Sequence, residues 1–115
     1  MKVTVFGIPT CGTVKKARKW LDDKGVGYEW VDLRQAPPGR DRLARWVEAF
    51  GWKPMRNTSG GAYRALGDEK KAWEDAAWLD AFTADAMLLK RPVIEVDGAP
   101  ALVGFKEPDF KLLFG

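Results

Sequence analysis

The sequence predicts an α/β domain: a βαβ unit, a helical middle over residues 38–89, and a closing ββα unit. Three observations lead there. A short β-branched run at Lys2–Phe6 is followed by a cation-rich helical pattern and then by a second alternating run. Apolar residues in the centre of the chain recur at helical spacing. Near the far end, two short apolar runs flank Asp97-Gly98, a strong hairpin signal.

Taken in order, Lys2–Phe6 reads as a buried strand. Thr13–Lys24 reads as a helix, with Val14, Ala17 and Leu21 on one face and Lys15, Lys19 and Asp22 on another. Thr10 and Thr13 are the expected capping residues, and Gly25 supplies a C-terminal stop. Tyr28–Leu33 alternates and is predicted to be a second strand, parallel to the first across the helix. Ala36–Gly39 is a loop, and Asp41–Phe50 a helix with Leu43, Trp46, Val47 and Phe50 at i, i+3, i+4 and i+7. Gly51–Gly61 is mostly loop, Ala62–Leu66 a helical turn, and Glu69–Phe82 a helix, with Thr83 capping one more turn through Leu89. Pro92–Val96 and Ala101–Gly104 are the hairpin strands. Glu107–Phe114 closes as a helix with Pro108 in its first turn.

At 115 residues the chain is one domain by size, and its six Trp and six Phe supply large units for burial. A net charge of +3 is mild, with no dense Lys/Arg stripe, so direct nucleic-acid binding is not expected. The tryptophans are then read as packing rather than as base-stacking platforms. No stretch approaches the ~18 apolar residues of a membrane span, and the first run reads as a strand rather than a leader, so a cytoplasmic location is expected. The chain has one cysteine and no histidine, which excludes an intrachain disulfide and argues against a transition-metal site. It also removes the usual general base, so a nucleophile here has to be activated electrostatically.

That nucleophile is Cys11. It stands on the strand-to-helix turn, facing unpaired N–H groups at the positive end of a helix dipole. The amides of Gly12 and Thr13 and the ammonium of Lys15, one turn on, are expected to favour its thiolate. A cysteine that only packed would sit inside the strand or on the inner helix face. Gly7 and Gly12 flank it and permit close backbone approach. Gly60-Gly61 reads as a flexible loop rather than an anion nest.

The stretch Phe6-Gly7-Ile8-x-x-Cys11-x-Thr13-Val14-Lys15-Lys16-Ala17, together with Leu88-Leu89-Lys90-Arg91-Pro92-Val93, resembles the ArsC/Spx/YffB family, a thioredoxin-like fold with a helical insertion between its halves. Asn57-Thr58 ahead of a glycine, Tyr63-Arg64 and Val103-Gly104-Phe105 add to a likeness that covers essentially the whole chain. It is nearest to the single-cysteine YffB-type branch of ArsC-like reductases. The resemblance implies Cys11 as catalytic nucleophile, Arg91 as the arginine that contacts an oxyanion, and Pro92 as a cis proline. It also implies an arginine where this chain has Ser59, with Arg56 and Arg64 as neighbouring cations, and a further basic residue that here is Lys106. Three arginines suit a compact dianion such as arsenate, and this chain clearly retains one. Because Val14 occupies the position of a second cysteine, there is no C-x-x-C pair, and an external thiol must resolve any adduct. Glutathione or a similar thiol is therefore the implied co-substrate, with glutaredoxin as a further partner and no bound cofactor. The alternative that the resemblance carries is a non-catalytic, Spx-like regulator that binds RNA polymerase.

Overall fold

The computed structural model describes residues 1–115. Its strands are β1 (Val3–Gly7), β2 (Glu29–Asp32), β3 (Val93–Val96) and β4 (Ala99–Val103), joined in one sheet in the order β2-β1-β3-β4. The chain divides into two units: Met1–Asp32 with Arg91–Gly115, and Leu33–Lys90. No helix is long and apolar enough to cross a membrane.

The first unit holds the sheet with helices α1 (Gly12–Asp23) and α6 (Glu107–Phe114). β1 runs parallel to β2, with Thr4 opposite Glu29 and Gly7 opposite Asp32. It runs antiparallel to β3, with Val3 opposite Val96 and Phe6 opposite Val93. Because strand side chains alternate between faces, Val3 and Val5 share a face with Ile94. That face packs with Ala17, Trp20 and Leu21 of α1 and Phe110 of α6 into one cluster. Phe110 is its hinge point, edge-on to Trp20 at 5.5 Å and to Phe105 at 4.7 Å.

α1 buries Val14, Ala17, Trp20 and Leu21 and exposes its lysines, the division its periodicity predicts. It ends on Gly25, whose φ of 71° is left-handed. The Gly25 amide donates to the Asp22 carbonyl and the Val26 amide to that of Leu21, which closes a Schellman cap. The β3–β4 turn is Asp97-Gly98 with φ of 53° and 80°, as a type I′ hairpin requires. Asp97 is tied to the chain start: the Lys2 amide donates to its Oδ1, and its own amide donates to the Lys2 carbonyl, both at 2.7 Å.

The second unit holds α2 (Arg40–Phe50), α3 (Trp52–Met55), α4 (Gly61–Arg64) and α5 (Asp75–Ala84), with 3₁₀ turns at Asp68–Ala72 and Ala86–Leu88. α2 buries Leu43, Trp46 and Val47, while α5 buries Trp78 and Phe82. Trp78 is the centre of an aromatic cluster. It stacks with Trp52 at 5.6 Å and Tyr63 at 6.3 Å, and meets Trp73 edge-on at 5.1 Å.

Several element ends differ from the sequence expectation by a residue or two, and four departures go further. Glu69–Phe82 is not one helix: Trp73 and Glu74 are extended and separate a 3₁₀ turn from α5. The edge-on contact of Trp73 with Trp78 shows tertiary packing overriding local helix preference. Trp52–Met55 forms a helical turn inside the expected loop. The last 3₁₀ turn is capped by Asp85, whose Oδ1 accepts the Met87 amide at 2.9 Å, while Thr83 Oγ1 donates back to the Leu79 carbonyl within α5. β4 begins at Ala99 rather than Ala101 and includes Pro100. A proline is tolerated there because β4 is an edge strand, and the register against β3 shifts at Ile94/Glu95, beside the Glu95–Pro100 pair.

Candidate active site

Cys11 is the N-cap of α1, with φ −78° and ψ 123°, so neither Thr10 nor Thr13 is the cap. Its own amide donates to the Ile8 carbonyl at 3.2 Å, closing the turn that leaves β1, and its carbonyl accepts the Lys15 amide at 3.0 Å, the first bond of the helix. An N-cap side chain faces the amides of the second and third helical residues, here Thr13 and Val14. A thiol is a weak acceptor, and Cys11 makes no side-chain cap hydrogen bond of the ordinary kind. The ionised sulfur is a better acceptor.

Cys11 is half-buried. Burial alone pushes its thiol up, but the Val14 and Thr13 amides and the Arg91 side chain favour the charged form of the sulfur, and the Arg91 charge adds attraction. Together they outweigh burial and hold the thiol below its ordinary range. Arg91 reaches the site from the start of the last ββα segment, where the Arg91–Pro92 peptide bond is cis. Pro92 is buried, and its carbonyl accepts the Gly104 amide at 2.8 Å.

Of the residues singled out in the sequence, the first unit therefore brings Cys11, Thr13 and Arg91 together beside Pro92. Gly12 and Lys15 are exposed, and the cation that acts on the sulfur is Arg91. Lys106 is exposed and caps α6. The amide missing from the sequence reading is that of Val14. Setting the helix start one residue early would have found it, since capping geometry assigns the second and third amides to the cap.

In the second unit, Arg64 Nη1 donates to the Ser59 carbonyl at 2.8 Å, and Ser59 Oγ bonds Asn57 Oδ1 at 3.1 Å. Arg56 lies over three rings, with Cζ 5.0 Å from the centroid of Trp52, 5.4 Å from Trp78 and 5.9 Å from Tyr63. Its buried Nε has no hydrogen-bond partner, so ring faces are what this guanidinium meets. Nothing in residue spacing signals this cage, because its rings come from three separate helices. No group of three or more His, Cys, Asp or Glu side chains is placed to hold a metal ion.

A half-buried thiol at a strand-to-helix turn, with an arginine before a cis proline, can be compared with known proteins. The chain is 36% identical over 115 residues to the uncharacterized protein YusI of Bacillus subtilis, covering 96% of this chain and 97% of that one. The solved structure of a YffB protein (PA3664) superposes with a TM-score of 0.90 at 34% identity, over 98% of this chain and 99% of that one. A possible arsenate reductase from Streptococcus mutans gives 0.86 at 31% identity, over 97% and 98%. A more distant relative, at 24% identity over 95% of this chain and 80% of its own length, is the global transcriptional regulator Spx of Streptococcus mutans. These likenesses establish the thioredoxin-like fold with its helical insertion. The ArsC family profile runs from Phe6, at the end of β1, to Leu112 in α6, taking in Cys11 and Arg91 alike, and the chain belongs to the ArsC family.

Proposed function

We propose that the protein is a thiol-dependent oxidoreductase in which Cys11 is the nucleophile and Arg91 the clamp for an anionic substrate. The observation that carries this reading is the convergence of the Val14 and Thr13 amides and the Arg91 guanidinium on one half-buried sulfur. The same donors that favour the thiolate are suited to an anionic group bound beside it, and a guanidinium forks onto a carboxylate or oxyanion.

With a disulfide such as oxidised glutathione, the Cys11 thiolate attacks one sulfur. A new S–S bond forms, the old one breaks, and one glutathione leaves as thiolate. A second external thiolate then attacks the glutathione sulfur of the mixed disulfide. A disulfide between that thiol and glutathione forms, the Cys11–glutathione bond breaks, and Cys11 leaves as thiolate. Net reduction of the first disulfide requires that the resolving thiol differ from the one released. The chain has no other cysteine, so this second step belongs to glutathione, a similar small thiol or glutaredoxin. Arsenate is a poorer fit, because Ser59 stands where the resemblance implies an arginine.

The test is mass spectrometry of Cys11 after exposure to oxidised glutathione and, separately, to arsenate. Wild type should gain one glutathione on Cys11 near neutral pH, and Arg91→Ala should gain it several-fold more slowly. Equal rates in the two proteins, with Cys11 titrating as an ordinary thiol, would overturn the reading.

The Spx relative favours a second reading, a regulator that acts through RNA polymerase without turnover. Capture of polymerase by Cys11→Ser as efficiently as by wild type, with no thiol exchange by either, is the outcome that selects it.

A further inference from the structure

We propose that Gly7 is a positioning residue for Cys11: the Cβ it lacks leaves the seat in which Val14 packs, and that seat sets where the first turn of α1, with the Val14 amide, stands relative to the cap sulfur. The inference rests on the reading of Cys11 as the reactive group and adds how the fold places the donor.

Gly7 is the last residue of β1, buried and opposite Asp32 of β2. Its φ does not lie in the left-handed region, so conformational freedom is not what it supplies. Clearance is. A Cβ built on Gly7 would lie 2.8 Å from Val14 Cγ2, 3.0 Å from Val14 Cγ1 and 3.3 Å from Trp30 Cη2. Real Cβ contacts essentially never fall below 3.0 Å. By contrast, a Cβ on Gly12 would meet nothing within 4 Å, so the two glycines flanking the cysteine differ in kind.

Which atoms would yield is decided by the chemistry of valine. Its two Cγ atoms sit on a β-branched carbon held in one strongly preferred rotamer in a helix, so neither can swing aside. Val14 is fully buried, so the side chain cannot turn to solvent either. The remaining freedom is a shift of the first turn of α1. That turn carries the amides of Thr13 and Val14, and a hydrogen bond to sulfur weakens with distance and misalignment. Strand end, valine and cap donor thus form one rigid stack.

The experiment is the pH dependence of Cys11 alkylation by iodoacetamide in four folded proteins: wild type, Gly7→Ala, Gly7→Ala/Val14→Ala and Gly25→Ala. The alkylation rate follows the thiolate fraction, so at about pH 6 Gly7→Ala should react roughly threefold or more slowly than wild type. The double variant removes both Cγ atoms and should recover most of the wild-type rate. Gly25→Ala, which loosens the far end of the same helix, should melt earlier with its titration unmoved, separating positioning from general destabilisation. If wild type itself titrates as an ordinary thiol, the reading of Cys11 as activated fails. If wild type is activated and Gly7→Ala matches it, or the double variant stays slow, this inference alone fails. Should Gly7→Ala not fold, Val14→Ile presses an added methyl group against the same seat and should move the titration upward, and an unmoved titration overturns the inference.

Discussion

Each unit of the molecule holds a half-buried arginine, and the two use the guanidinium in opposite ways. In the sheet unit, Arg91 meets a sulfur that can carry negative charge, and cation and thiolate favour one another. In the helical unit, Arg56 meets the faces of Trp52, Tyr63 and Trp78, which attract a cation through their quadrupoles. A burial census would score the two residues alike. What separates them is what faces the guanidinium: a sulfur that can carry a full negative charge in one case, and ring faces that offer only their quadrupoles in the other. The proposed reactivity therefore rests on the first unit, and the second arginine is a cation held among ring faces.

The largest effect that would test this contrast is Cys11→Ser. It should abolish covalent capture of glutathione, measured by intact-protein mass, while Arg56→Ala in parallel should leave the sulfur's alkylation titration in place. Next comes Trp78→Ala, which removes the fully buried centre of the aromatic cluster. A loss of about 3–5 kcal/mol in denaturant unfolding is expected for deleting such a ring, against a change within error if the cluster were only surface stacking.

Arg91→Ala should raise the Cys11 titration and slow alkylation below neutrality by about tenfold, the order of one charge-assisted hydrogen bond. The sign of the pH effect follows from the lowered thiol. A group whose folded value is depressed stabilises the fold fully above its unfolded value and loses that contribution as pH falls through the folded value. The stability advantage of wild type over Cys11→Ala should therefore shrink on acidification through that window, and an advantage that grows would contradict the assigned direction. The smallest effect is Gly25→Ala, where a side chain forced into left-handed geometry should cost about 1 kcal/mol without touching sulfur chemistry.

The parts of the fold that the sequence reading placed well are those set by local chemistry. Asp97-Gly98 is a turn because both residues adopt positive φ, and Gly25 ends α1 because the Schellman cap needs a left-handed residue. Cys11 stood out through the breaker before a cationic helix, whereas Arg91 was pointed to only by the family resemblance of Leu88–Val93. What escaped was set at a distance. Trp73 leaves the helical path to meet a ring five residues on, and Pro100 enters β4 because only one edge of that strand is paired. The identity of the sulfur's amide donors turned on a single residue of helix register, which hydrophobic spacing does not resolve.

Cys11 stands at the start of α1 and Arg91 just ahead of β3, with the whole helical unit between them in the chain, so synthesis delivers the cation well after the sulfur. Until the last hairpin has closed on β1, the sulfur lacks its cation and behaves as a more ordinary thiol. A lowered thiol titration at this one residue would therefore report that the last hairpin has closed on β1.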